Sequence, residues 1–186
     1  MDGLIYYFMD DNEVLELINS VSCYTLNDES IMEKKDEWNN ENEKNNYQEI
    51  TFWDTTKITI MPDMFNNNLT FNELLLWNTA NVTNMSNMFR DASSFNQPLE
   101  FNTSNVIDMS NMFRDASSFN QPLEFNTANV IDMGGMFSGA TSFNQPLEFN
   151  TANVIDMDGM FYDMPSFNRS IIFHNKNITN VYNSEM

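Results

Sequence analysis

Two residue types on which many enzymes and metal sites depend are nearly missing: the chain has one cysteine, Cys23, and one histidine, His174. A single cysteine excludes an intramolecular disulfide and any multi-cysteine zinc site. A single histidine leaves no two-histidine metal site and little scope for general base chemistry near neutrality. Basic residues are scarce too, with 8 Lys and Arg against 27 Asp and Glu and a net charge of −19. That balance argues against nucleic-acid binding, whose affinity comes from clustered cations on phosphates. It also disfavours an anionic membrane surface. No run of 18 apolar residues occurs, so no direct membrane insertion is expected. The N-terminal MDGLIYYFMDD has neither a basic leader nor a long apolar stretch, so the sequence reads as intracellular rather than secretory. Only five glycines are present, and Gly134–Gly135 is the one adjacent pair, so no phosphate-cradling loop is expected.

What the chain has in abundance is self-similarity. Phe71, Phe95, Phe119, Phe143 and Phe167 open successive copies of a 24-residue unit. Residues 81–103 and 105–127 differ at only two positions, which points to tandem duplication. A worn copy precedes them, with Trp53, Thr55, Ile58, Met61, Met64 and Phe65 in register with Trp77, Thr79, Val82, Met85, Met88 and Phe89. A partial copy follows, with Phe173, Ile178 and Val181 at the apolar positions. About six units result, the outer ones atypical as caps of a repeat array tend to be.

A unit of 24 residues is too short for a hairpin of helices and falls in the leucine-rich-repeat range. The expected fold is therefore a repeat solenoid: a parallel β-solenoid of leucine-rich-repeat type, with short 3-10 or helical turns and an N-terminal helical cap. Phe95, Leu99, Phe101, Val106, Met109, Met112 and Phe113 are its predicted core, each stacked on its copies, because one unit cannot bury such a face alone. SFNQPLEF reads as extended, with Pro98 interrupting any pairing. NVIDMSNMF reads as a short extended piece followed by a turn. The asparagine registers at 96, 120, 144 and 168, and at 81, 105, 129, 153 and 177, read as amide ladders.

The chain divides into residues 1–46, an acidic helical cap and polar linker, and residues 47–186, the repeats. Within the first part, Val14, Leu15, Leu17, Ile18 and Val21 predict a helix over 12–26, with Asp11 or Asn12 as its cap. Residues 27–46 read as a polar helix tail or linker.

The pattern N-T-x-N-V-x-x-M-x-x-M-F-x-x-A-x-S-F-N-Q-P-L, carried by residues 78–99, 102–123 and 126–147, closely resembles the BspA-like leucine-rich-repeat surface proteins. The resemblance covers roughly residues 53–182. It implies a leucine-rich-repeat solenoid and adhesion to host or matrix proteins, on a family that is often cell-surface. The tryptophan before N-T survives as Trp53 and Trp77 and becomes phenylalanine at 101, 125, 149 and 173.

Function is expected to be display rather than catalysis. His174 stands where its copies carry Asn126 and Asn150, a drifted repeat position, so no enzyme activity and no cofactor are expected. The predicted partner-contact row is Gln97, Glu100, Gln121, Glu124, Gln145 and Glu148, facing a protein partner of basic character. An alternative is an intracellular adaptor whose helix at 12–26 docks other machinery. A third is calcium held between the acidic rows at Glu100, Glu124 and Glu148 or Asp108, Asp132 and Asp156. The threonine row Thr79, Thr103, Thr127 and Thr151 would present hydroxyls at regular intervals if it faced outward.

Overall fold

The computed structural model of the chain describes residues 26–39, 50–169 and 171. The helix expected at 12–26, Cys23, His174 and most of the last repeat lie outside these residues.

Helix α1, Asp28–Asn39, is the first element among the described residues. Asn27 caps it: its Oδ1 accepts from the backbone amides of Glu29 and Ser30, while Ser30 Oγ accepts from the amide of Asn27. Asp28 and Glu29 place negative charge at the positive end of the helix dipole. A 3-10 turn, Ile50–Phe52, leads into the repeats, which stack coil upon coil at the 24-residue period.

The expected parallel β-solenoid is not what these residues form. Among the described residues there is no β-strand and no sheet, and successive coils meet in isolated parallel bridges, one per junction: Ile60 with Asn84, Asn84 with Asp108, Asp108 with Asp132, and Asp132 with Asp156. The reason lies in the backbone just after each bridge. Asn87 and Asp91 have φ of 54° and 58°, Asn111 and Asp115 have 53° and 57°, and Gly135 and Gly139 have 61° and 71°. Two left-handed residues four apart fold each stretch into overlapping turns instead of an extended strand. In the coil 95–118, Met112, Arg114 and Ala116 donate their amides to the carbonyls of Met109, Asn111 and Phe113 within the coil. The alternate residues Met109, Asn111, Phe113 and Asp115 donate to Asp132, Gly134, Met136 and Ser138 of the next coil, at 2.7 to 3.0 Å. With Ser110 donating to Asp108 Oδ1, every amide from Met109 to Ala116 is paired, half locally and half between coils, without a strand. Asn, Asp and Gly occupy the left-handed positions because they tolerate that conformation best.

The residues expected in the core are in it. Val106, Met109, Met112, Phe113, Ala116 and Phe119 are fully buried, as are their copies at 82, 85, 88, 89, 92 and 95. Two columns of rings run along the stack. Phe89, Phe113 and Phe137 lie 5.6 and 5.5 Å apart, and Phe95, Phe119 and Phe143 lie 5.8 Å apart. The columns touch, with Phe113 and Phe119 at 4.2 Å. Identical residues one coil apart leave near-parallel stacking as the available ring geometry, with interplanar angles of 5–9° along the inner rungs.

The threonine row points inward. Thr79, Thr103 and Thr127 are buried, and each hydroxyl donates to a carbonyl of the next coil, at Asn102, Asn126 and Asn150. It is internal wiring rather than a surface array.

At the first described coil, α1 supplies contacts that a preceding coil supplies elsewhere. In later coils the amides of Ile107 and Asp108 both donate to the carbonyl of Thr83. At the first coil the equivalent amides, Thr59 and Ile60, donate instead to Asp28 Oδ1, at 2.6 and 3.2 Å. Asp28 thus takes the place that a preceding coil's carbonyl holds elsewhere, while Ile31 of α1 is buried in the common core. Burial pushes the Asp28 carboxyl up, but hydrogen bonds from the Thr59 hydroxyl and the Thr59 and Ile60 amides outweigh it and hold the group below its ordinary range.

Candidate interaction surface

Residues 96–101 form no turn, helix or strand, and along them Leu99 and Phe101 are buried while Pro98 and Glu100 are exposed. No backbone-to-backbone hydrogen bond joins residues 97–102 of one coil to the next. Proline has no amide to give, and side chains take over the pairing. Asn96 Oδ1 accepts from the amide of Asn120, and Asn120 Oδ1 from that of Asn144, at 3.0 and 2.9 Å. The Gln121 and Gln145 side-chain amides donate to the carbonyls of Asn96 and Asn120, both at 3.0 Å. Arg169, at the equivalent position of a later coil, donates to Asn144 in the same way.

Within the predicted contact row the structure therefore separates two roles. Gln121 and Gln145 are half-buried and spend their amides holding coils together, and Gln97 is half-buried in the same register. Glu100, Glu124 and Glu148 are exposed in one line. Between them lie two clefts of about 410 and 450 Å³. The first is lined by Pro98, Leu99, Glu100, Phe101, Pro122 and Glu124, and the second repeats it one coil on, with Glu124 shared. Leu99 and Phe101, each 6% exposed, form an apolar floor beneath a carboxylate rim. The floor was not foreseen as surface; its signal was the Pro-Leu-Glu-Phe alternation, in which proline keeps adjacent coils from closing.

A second row is apolar. Ile107 and Ile131 are 45% and 42% exposed and stand between the asparagines Asn81, Asn105 and Asn129, in line with Ile155. Asn105 and Asn129 donate their side-chain amides to carbonyls of the preceding coil, at Ala80 and Ser104. Thr83 occupies the same register one coil earlier, so the row becomes apolar only from Ile107 onward.

A third feature breaks the repeat. Gly134, Gly135, Ser138 and Gly139 stand where the coil before has Ser110, Asn111, Arg114 and Asp115. The missing side chains leave a shallow recess beside Asp132, Asp156, Asp158 and Tyr162. A Cβ at Gly139 would collide with Asp115 Oδ1, which fills the vacated space. Burial raises the Asp132 carboxyl; the Gly134 amide bonded to it lowers it less, and the Asp108 and Asp156 carboxylates one coil away push it up further.

Among the described residues no group of three or more His, Cys, Asp or Glu is placed to share a metal ion. Ser110, Gly134 and Asp158 donate their amides to Oδ1 of Asp108, Asp132 and Asp156, so one oxygen of each already closes a local turn. Arg90 and Arg114 pair with the neighbouring Asp91 and Asp115 and make no basic stripe. Among the described residues no helix is long and apolar enough to cross a membrane.

No curated protein and no solved structure matches the chain. A family model does match it twice, over residues 34–124 and 100–186. Together these matches span the whole repeat array, and the chain belongs to the family described as Mycoplasma protein of unknown function, DUF285.

Proposed function

We propose that the chain is a non-enzymatic protein-interaction scaffold of the adhesion type, in keeping with the resemblance of its repeats to BspA-like surface proteins. The observation that carries this reading is the row Glu100, Glu124 and Glu148, exposed at successive coils over an apolar floor. The coils below repeat these carboxylates in register, joined by the Phe columns and the Asn96-type ladder. A periodic, acidic face on a chain of net charge −19 favours basic protein partners and makes association salt-dependent.

The test is binding of the immobilised chain to a panel of basic and acidic extracellular-matrix proteins, read by interferometry at low and high salt. Charge reversal of all three glutamates (E100K, E124K, E148K) is expected to abolish binding to the basic members. Binding that survives reversal, or that ignores salt, would remove the acidic face from the account.

A further inference from the structure

The two faces of a coil differ in hydrogen-bonding character. Met61, Asp63, Phe65 and Asn67 donate their amides to the carbonyls of Asn84, Ser86, Met88 and Arg90 in the next coil, at 2.8 to 3.0 Å. A coil in the array thus offers amides to the coil after it and carbonyls to the coil before it. In the first described coil the equivalent carbonyls belong to Ile60, Pro62, Met64 and Asn66, and no backbone amide among the described residues donates to them. Met64 is nonetheless fully buried, so its carbonyl is out of water without a donor. Trp53 is in a similar position. Trp77 gives its indole N–H to the carbonyl of Ile50 at 2.7 Å, whereas Trp53, stacked on it at 5.9 Å and 4% exposed, has a buried Nε1 that finds no acceptor among the described residues.

Helix α1 accounts for both orphans. A helix spends its amides and carbonyls on itself. It can bury Ile31 against the coil end and reach two amides through Asp28, but it cannot return the donors and the acceptor that a coil supplies.

We infer that this end of the stack is a docking face for a coil of the same repeat from a second copy of the chain, with α1 as an exchangeable cover over it. Amides at alternate residues of a turn backbone are what the opposite face of each coil carries, and that register continues to Met157, Gly159, Phe161 and Asp163 in the last described coil. A head-to-tail contact of this kind does not close on itself, so uncovered copies form open chains. With a net charge of −19 on each copy, the contact strengthens as salt rises, where binding at the glutamate row weakens, so the two fail separately.

The probe is a synthetic peptide of residues 95–118, one coil long, compared with the same peptide N-methylated at Met109 and Phe113. Those methyl groups remove the two donors that would meet Ile60 and Met64. Binding to the full chain carrying Asp28→Ala and Ile31→Asp is followed through the indole NMR resonance of Trp53. The parent peptide is expected to bind this variant at least about tenfold tighter than the methylated peptide does, and about tenfold tighter than it binds the wild-type chain. In sedimentation velocity the wild-type chain should be a single species, and the variant a reversible, concentration-dependent series that lengthens with salt. Should the double variant lack a cooperative melt, Asp28→Ala alone reads the same face with the same two peptides. Equal binding of the two peptides, or binding of neither, would overturn the docking face. A variant that stays monomeric at every concentration, or that aggregates irreversibly, would overturn the second copy as its occupant. A wild-type chain that already forms the series would overturn α1 as its cover.

Discussion

Asn111 is the residue at which the observed backbone and an ordinary strand make opposite demands. Its φ is 53°, its amide donates to Gly134 at 2.8 Å, and it follows the Asp108 bridge by three residues. Replacing it with glycine removes the left-handed penalty but gives back roughly 0.5–1 kcal/mol through the freer unfolded chain, so Asn111→Gly should be close to neutral. Valine is the opposite case. A β-branched side chain in the left-handed region costs roughly 1–2 kcal/mol, and crowding against the next coil adds to it. Asn111→Val should therefore be less stable than Asn111→Gly by about 2 kcal/mol, or about 4–8 °C in Tm for a chain of this size. A strand at the same place would reverse the order, because valine is favoured over glycine there by up to about 1 kcal/mol. Urea titration of the two variants, with equal m-values as a check on two-state behaviour, reads the sign directly. Valine equal to or better than glycine would refute the turn geometry assigned to this stretch.

Further outcomes follow from the same contacts. Phe119→Ala removes a fully buried ring stacked at 5.8 Å on both sides and should cost about 3–5 kcal/mol in chemical denaturation; a cost under about 1 kcal/mol would mean that the ring columns are not continuous. Asp132→Asn should stabilise the chain by a few tenths of a kcal/mol at pH 7, since Asn84 already holds the equivalent turn as an amide. Because the folded-state carboxyl titrates above its unfolded value, that gain should fade as pH falls through the raised range, and a gain that persists in acid would contradict the carboxylate repulsion. Asp28→Ala should cost about 1 kcal/mol at pH 7, after discounting for exposure. The Asp28 carboxyl is lowered in the folded state, so its contribution is complete above the ordinary carboxylate range and is lost as pH falls through the folded value. Thermal melts of both chains should therefore converge in strong acid, and a constant gap would sink the capping role.

The period, the core and the ladders could be read from the chain because each depends on a residue recurring at the same register. Phe95, Val106, Met109 and Met112 had to be inward for any stacked arrangement of a 24-residue unit, and they are. The absence of strands was harder to read, since apolar residues at Val106, Met109 and Met112 are three apart and fit a short strand with a turn as well as a run of turns. The deciding signal was present in two registers four residues apart. Positions 63, 87, 111, 135 and 159 are Asp, Asn, Asn, Gly and Gly, and positions 67, 91, 115, 139 and 163 are Asn, Asp, Asp, Gly and Asp. No other common property unites these residues than tolerance of positive φ. At the candidate site, Glu100, Glu124 and Glu148 were legible as an outward row, but the division of labour with Gln121 and Gln145 was not. Which amide reaches a neighbouring carbonyl depends on how closely the coils approach, and Pro98 and Asn96 set that distance through side-chain pairing rather than through a backbone pattern.

Through-hydrogen-bond scalar couplings, measured by NMR on the isotopically labelled chain, test the stacking most directly. Met109, Asn111, Phe113 and Asp115 should each couple to the carbonyl 23 residues later, while Met112, Arg114 and Ala116 couple to the carbonyl three residues earlier. A continuous ladder of couplings to the adjacent coil in both directions, without the three-residue set between, would show strands after all and contradict the alternating-turn stack.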